Sequence, residues 1–434
     1  MKNKVDVVLG LQWGDEGKGK IVDVLAAAYP AVARFQGGPN AGHSLQFDGK
    51  SFVVRSIPSG IFREGSENII GNGVVLDPLA FREECRSVAA MGIVPEKRIA
   101  ISTKAHLILP THRLLDAVKE AAAGKGKIGS TLKGIGPAYT DKVSRQGLRT
   151  GDCLTPGFVQ KFGEHTAKHM ETIKLIAEGA GLDIPALEDK VFGCSLAQYT
   201  ASWLEAVEFL KGFRLVNCEY FVSSLLERTP LLAEGAQGSL LDIDYGSYPF
   251  VTSSNTTCGG VCTGLGVPPS AVGKVFGIFK AYCTRVGSGP FPTELNDSTG
   301  EELRRIGHEF GAVTGRPRRT GWLDLVALKY SVMVNGVTDL IMMKSDCLDT
   351  FSTIKVCTSY KVKGAVTEEL PFDLADAEPV YTEFPGWQQD LTGARSFSEL
   401  PARFTEYIDF IEGYIGVPVK IISLGPDREA TIER

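Results

Sequence analysis

The run Val5-Asp6-Val7-Val8-Leu9-Gly10-Leu11-Gln12-Trp13-Gly14-Asp15-Glu16-Gly17-Lys18-Gly19-Lys20-Ile21 passes from a short β-branched apolar segment into a glycine-rich loop carrying two lysines. An apolar stretch with helical spacing, Ile21 to Ala28, follows it. Strand, glycine loop and helix start, in that order, cradle a phosphate. Bare N–H groups converge on the anion, the helix dipole favours negative charge and a lysine neutralises it. Gly14 and the pair Gly19-Lys20 have Walker spacing, but Ile21 stands where that pattern has Ser or Thr. The hydroxyl that holds magnesium is therefore missing. Asp15 sits inside the loop instead, able to hold Mg2+, to act as a base, or both. The plainer alternative is a glycine-rich surface turn with chance lysines.

Further apolar runs end in glycine- or aspartate-rich turns: Asn68 to Gly73, Pro230 to Gly238, Asp339 to Asp346 and Val419 to Pro426. Fully apolar short strands followed by polar loops predict a large, mostly parallel central sheet, flanked by helices, with ligands beyond its carboxyl edge. The expected class is α/β, with a P-loop-like phosphate site and with helical and β insertions. Because these runs occur at both ends of the chain, residues 1–434 are expected to form a single large α/β domain. A helical insertion is expected at about 156–228, and a C-terminal segment, about 339–434, completes the nucleotide site. Length alone would allow roughly two or three domains.

Composition narrows the partners. Forty-six basic against 51 acidic residues leave a net charge of −5, which argues against nucleic acid or a membrane surface. No apolar run reaches the roughly 18 residues of a membrane helix. The start of the chain has no signal-peptide pattern. Nine scattered cysteines without framework spacing predict reduced thiols and a cytoplasmic protein. His165 and His169 share a helix face, but no acidic third ligand accompanies them in sequence, so a solvated face is expected rather than a metal site. His106 and His112 are expected to be structural.

Other tracts carry chemistry. In Gln36-Gly37-Gly38-Pro39-Asn40-Ala41-Gly42-His43-Ser44, His43 is a candidate acid or electrophile for a transferring phosphoryl group. Gly124 to Pro137, with Thr131, suits either a mobile loop closing on phosphate or a surface turn, and Arg145 and Arg149 follow it. Glu234-Gly235-Ala236-Gln237-Gly238 and Thr252 to Thr257 offer amides and hydroxyls for a base or ribose, or ordinary turn chemistry. Gly311 to Gly321 holds Arg316, Arg318 and Arg319, whose guanidinium forks pair with carboxylate or phosphate. Lys344-Ser345-Asp346 ends an apolar strand, where a carboxylate accepts both N1–H and N2–H2 of guanine.

Taken together and in this order, these tracts resemble the adenylosuccinate synthetase family, nearly end to end. The most specific pieces are Gln12 to Lys20, Asn40 to His43, Gly134 to Tyr139, Glu234 to Gly238, Thr252 to Thr256, Arg318 to Asp324 and Ser423 to Asp427. The resemblance implies a ligase that joins IMP and L-aspartate at the expense of GTP, with Mg2+, through 6-phosphoryl-IMP. That reaction is the first committed step of AMP biosynthesis. It implies four catalytic residues, Asp15, His43, Lys18 and Gln237, with Mg2+ held by Asp15 and Gly42. GTP would meet Gly14, Asp15, Glu16, Gly17, Lys18, Gly19 and Lys20 in the first loop, and Gly42, His43 and Ser44 in the second. Arg318, the trio Lys344, Ser345 and Asp346, and the closing segment Ser423, Leu424 and Gly425 would complete that site. IMP would meet Asp15 to Lys18, Asn40, Ala41, Gly42, His43, Thr131, Gln237, Thr252 and Arg316. Arg145 would reach IMP across the interface of a homodimer. Aspartate would lie against Ala312, Val313, Thr314, Gly315, Arg316, Pro317 and Arg318. Pro39, Leu132-Lys133 and Pro317 depart from the common family pattern. Two alternatives are a related ligase with a deoxyguanylate acceptor, which would not need the N1-directed base Asp15, and a GTP-driven switch, which leaves the arginine loop without a role.

Overall fold

The computed structural model describes residues 3–47, 49–127, 129–311, 315 and 317–434. Ten strands form its main sheet: β1 (Val5–Gly10), β2 (Ala31–Arg34), β3 (Glu67–Ile70), β4 (Ile99–Ser102), β5 (Arg214–Val216), β6 (Leu231–Glu234), β7 (Val272–Lys280), β8 (Asp339–Met343), β9 (Val419–Ser423) and β10 (Thr431–Glu433). Their spatial order is β10-β9-β8-β7-β1-β6-β2-β3-β4-β5. Neighbours run parallel throughout, except at the β9–β10 edge. The expected α/β architecture is what the chain builds.

The apolar runs are continuous because both faces of the sheet are covered. Val5, Val7 and Leu9 of β1, Leu231 and Ala233 of β6, and Leu340 and Met342 of β8 pack into one core. The alternating residues Val8, Leu232 and Ile341 pack on the other face, against Ile21 and Val22 of helix Lys18–Leu25. A strand puts successive side chains on opposite faces, so a strand buried twice loses the polar alternation of a half-exposed one.

The stretch expected as a helical insertion, 156–228, is mostly helical but also carries a strand. It supplies helices Phe158–Ala180, Ile184–Phe192, Leu196–Leu210 and Cys218–Leu225, but Arg214–Val216 between them is β5, paired with β4 at the sheet edge. Three residues are too few to show a period. Between β8 and β9, strands Thr353–Val362 and Glu378–Pro385 pair antiparallel in a second, smaller sheet.

Candidate active site

Parallel pairing puts the loops that follow β1, β2, β6, β8 and β9 on one edge of the sheet, where a cleft of about 750 Å3 opens. Gly14, Asp15, Gly17, Lys18 and Gly19 line it from the first loop, and Asn40, Ala41, Gly42, His43 and Ser44 from the second. Thr131, Gln237, Thr252, Arg318 and Lys344 also line it. Tracts scattered over three hundred residues therefore meet in one place.

The first loop is held open by its own glutamate. Glu16 is fully buried, and its carboxylate accepts the N–H groups of Gln12 (3.1 Å) and Gly14 (2.9 Å). Its second oxygen pairs with Lys18 Nζ at 2.5 Å, and the same ammonium donates to the Gln237 carbonyl. The Glu16 side chain is thus committed to the loop, which leaves its backbone to face a ligand. Gly14, Asp15 and Gly17 all have positive φ, as does Gln237 across the cleft. Left-handed backbone at a non-glycine residue costs about 1 kcal/mol or more and persists where surrounding structure imposes it. Asp15, exposed to the cleft, lies 2.7 Å from Arg318 Nε as an ion pair.

Lys20 points elsewhere. Its ammonium donates to Ser423 Oγ and the Gly425 carbonyl, both at 2.7 Å, and to the Ala430 carbonyl at 2.9 Å. Burial lowers its pKa to about 8, with Asp346 and Asp427 opposing the shift. In this structure it ties the first loop to the segment Ser423 to Gly425 and does not line the phosphate cleft.

His43 is held by a carboxylate, Glu234, to which no motif by itself assigns a role. Glu234, at the end of β6, is fully buried and lies 2.5 Å from His43 Nδ1. It also accepts Ser59 N–H at 2.8 Å and Ser59 Oγ–H at 2.6 Å. Burial, with Arg34 nearby, lowers the His43 pKa despite the pull of Glu234. Glu234 stays below its ordinary value because His43, Arg34 and Ser59 outweigh its own burial. We therefore take the resting pair as a neutral imidazole with Nδ1–H on an ionised Glu234. His43 Nε2 has no partner among the described residues. The signal available in sequence was the acid at a strand's carboxyl end.

Lys344 has positive φ, which turns its ammonium back to the Gly307 carbonyl (2.6 Å) and to Glu309 (2.8 Å). Asp346 Oδ1 is buried without a partner among the described residues, and burial raises the Asp346 pKa. Arg145 lies outside the cleft, exposed and left-handed, at the end of helix Ile135–Ser144. Ala312, Val313, Thr314 and Arg316 fall outside the described residues. Leu132 is held at φ +55°.

One expectation is overturned. His169 is buried, not solvated, and tertiary structure supplies the acid its own helix lacks. Asp141 Oδ2 lies 2.9 Å from His112 Nε2 and 3.1 Å from His169 Nε2. The Leu109 N–H donates to His112 Nδ1 at 2.9 Å, so the proton must sit on Nε2, facing Asp141. A metal on that Nε2 would push the proton onto Nδ1, against a backbone donor. The trio is therefore a hydrogen-bonded clamp between helices Pro110–Ala122, Ile135–Ser144 and Phe158–Ala180. His112 is structural, as expected.

A phosphate cradle at the central strand and a carboxylate-held imidazole, lining one cleft at the carboxyl edge of a parallel sheet, define a nucleotide-dependent phosphoryl-transfer enzyme. Residues 7–432 match the adenylosuccinate synthetase family, and the chain belongs to that family of GTP-dependent ligases. It is 59% identical over 433 residues to the adenylosuccinate synthetase of Parabacteroides distasonis and 58% identical to that of Bacteroides fragilis, with 99% of each chain covered. The fully ligated adenylosuccinate synthetase of Plasmodium falciparum superposes with a TM-score of 0.87 at 35% identity, covering all of both chains. A cyanophage S-2L succinoaminodeoxyadenylate synthetase, bound to dGMP and dATP, shares the fold with a TM-score of 0.61 at 21% identity, covering 100% of this chain and 96% of its own.

Proposed function

We propose that this chain joins IMP to L-aspartate, using GTP, to give adenylosuccinate, GDP and phosphate. The observation that carries the reading is that Asp15 and His43, the latter held by the buried Glu234, line one cleft. Asp15 takes the N1 proton of IMP, which makes O6 a nucleophile toward the γ-phosphorus of GTP. As negative charge grows on the transferring phosphoryl oxygens, His43 takes up a proton from solvent at Nε2 and donates it in a hydrogen bond to those oxygens, Glu234 stabilises the imidazolium, and the proton returns to solvent when phosphate leaves. Lys18 and the backbone of Gly17 and Gly19 hold the phosphates, and Gln237 orients the purine. The neutral aspartate amine then attacks C6, the C6–O6 bond breaks with phosphate as the leaving group, the proton shed by the amine leaves with the phosphate, and Asp15 returns the N1 proton to solvent. An Asp15 that is free to take this proton must first part from Arg318, so ligand entry includes breaking that ion pair.

The donor set, the Asp15 carboxylate with the Gly42 carbonyl, is all hard oxygen and fits Mg2+. When bound there, the ion supplies charge neutralisation at the phosphates. Asp346, with Lys344 and Ser345 beside it, reads guanine; a buried carboxylate oxygen without a partner supports this. Ser423, Leu424 and Gly425 close over the base, anchored by Lys20. Asn40, Thr131, Thr252 and Arg316 contact IMP, and the segment from Ala312 to Arg318 holds aspartate.

Arg145 reaches the IMP phosphate of a partner subunit in a homodimer, a role supported by its exposure away from its own cleft. The sheet draws strands from residues 5 to 433, which supports a single large domain. Nine free cysteines support a cytoplasmic setting, and no helix among the described residues is long and apolar enough to cross a membrane.

Phosphate release from GTP and Mg2+, with and without IMP and aspartate, tests the activity. It should require all three substrates and yield adenylosuccinate. Release from GTP alone, or with deoxyguanylate in place of IMP, would refute it.

A further inference from the structure

Behind the cleft wall lies a second buried carboxylate with an unusual set of partners. Glu309 is fully buried and takes no part in lining the cleft. Its Oε1 accepts Lys344 Nζ at 2.8 Å, Lys280 Nζ at 3.1 Å and the Tyr282 hydroxyl at 2.5 Å. Its Oε2 accepts Arg318 Nη1–H at 2.6 Å, and its backbone carbonyl accepts the Arg318 N–H at 2.9 Å. Burial pushes the Glu309 pKa up, but Lys280, Lys344 and Arg318 together hold it well below the usual carboxylate range.

The two oxygens face different subsites. One holds the lysine that follows β8 beside Asp346, and the other holds the arginine that pairs with Asp15. Lys280, at the end of β7, is itself fully buried and fixes the carboxylate from the sheet side. A buried, multiply bonded charge moves only if its partners move with it, because an unpaired buried ion is strongly disfavoured. Displacing Lys344 therefore bears on Arg318 through a single rigid group about one carboxylate wide.

We propose that Glu309 is a positioning residue that couples the guanine-reading lysine to the arginine of the aspartate loop, so that GTP and L-aspartate reinforce each other's binding. This rests on the assignment of Lys344 to guanine and of Arg318 to aspartate. Glu309→Gln removes the charge that holds three cations while keeping the side chain's volume. Its KM values for L-aspartate and for GTP should rise together, about tenfold or more, with kcat at saturation and KM for IMP within about threefold of wild type. Tyr282→Phe, which removes one neutral hydrogen bond from the same oxygen, should show the same pattern at about two- to threefold. Glu309→Asp, which keeps the charge on a shorter arm, should recover part of the loss.

A uniform fall in kcat with all three KM values raised would mark Glu309 as merely structural and overturn the coupling. So would a rise in only one of the two KM values. If Glu309→Gln does not fold, Tyr282→Phe decides the matter by the same split, and an unchanged KM for both substrates overturns the proposal. Lys344→Ala separates the two levels of inference. If it leaves KM for GTP unchanged, the guanine assignment fails. If it raises that KM while Glu309→Gln and Tyr282→Phe alter neither substrate's KM, the coupling alone fails.

Discussion

Replacing Glu234 by glutamine tests whether the carboxylate behind His43 acts in the chemical step. The wild-type carboxylate accepts three donors: His43 Nδ1–H, Ser59 N–H and Ser59 Oγ–H. A glutamine offers one acceptor oxygen and one NH2, so at least one buried donor meets another donor. That mismatch costs about 1–3 kcal/mol, but it burdens resting enzyme and transition state alike and should appear as lost stability. The loss in rate comes from charge. With Nδ1 and Oε1 2.5 Å apart, the centres of the imidazolium and carboxylate charges lie about 4 Å apart, and at an effective dielectric constant of about 20 their attraction is about 4 kcal/mol. The amide dipole of glutamine retains part of this, so kcat should fall about a hundred- to a thousandfold, at about 1.4 kcal/mol per decade. The assay is phosphate release at saturating GTP, IMP and aspartate, beside a denaturant titration. A variant whose kcat stays within about threefold of wild type would refute the reasoning. So would Glu234→Gln and His43→Ala effects that simply add, because residues acting as one unit couple.

Asp15→Asn should retain the fold, since Asp15 is exposed to the cleft, and should lose about a thousandfold or more in kcat as a proton acceptor is removed. Appreciable residual turnover would transfer the base role elsewhere. Asp141→Ala deprives two imidazoles of their shared acceptor and should destabilise the chain by about 2 kcal/mol, read by denaturant unfolding. Neither zinc nor a chelator should move the wild-type melting temperature, and a zinc-dependent rise would overturn the tautomer argument. The same clamp sets an acid limit. Burial depresses the His112 pKa, so the unfolded chain takes up a proton below about pH 6.5 that the folded chain refuses. Asp141 is depressed below its ordinary value, since the two imidazoles outweigh its own burial, so the stability it adds is present above the unfolded carboxylate value of about 4 and is lost on further acidification. Stability should therefore fall in two stages, and less steeply in His112→Gln over the upper one. Lys20 donates to three acceptors only as an ammonium. As pH rises through about 8 it becomes a two-donor amine, and KM for GTP should rise, a trend that Lys20→Arg should abolish.

The sheet strands and glycine loops were legible because their causes are local. A doubly buried strand must be apolar at every position, and a loop that presents backbone N–H groups must carry glycine, as at Gly14 and Gly17. Asp15, His43 and Gln237 could be singled out because they sit inside such loops. Residue periodicity, however, is silent on what lies across the fold. Glu234 meets His43 from 191 residues away, Lys20 reaches Ser423 from 403, and Glu309 meets Lys344 from 35. In sequence His169 reads as a surface histidine because its acid, Asp141, belongs to another helix. Strand order decides such pairings, and it follows from how apolar faces pack over the whole chain, not from any window of residues. The chemical inventory of the site is written in short motifs. Which buried carboxylate orients each functional cation or imidazole is decided only when the sheet closes, because an ion leaves water only where a partner is already fixed to receive it.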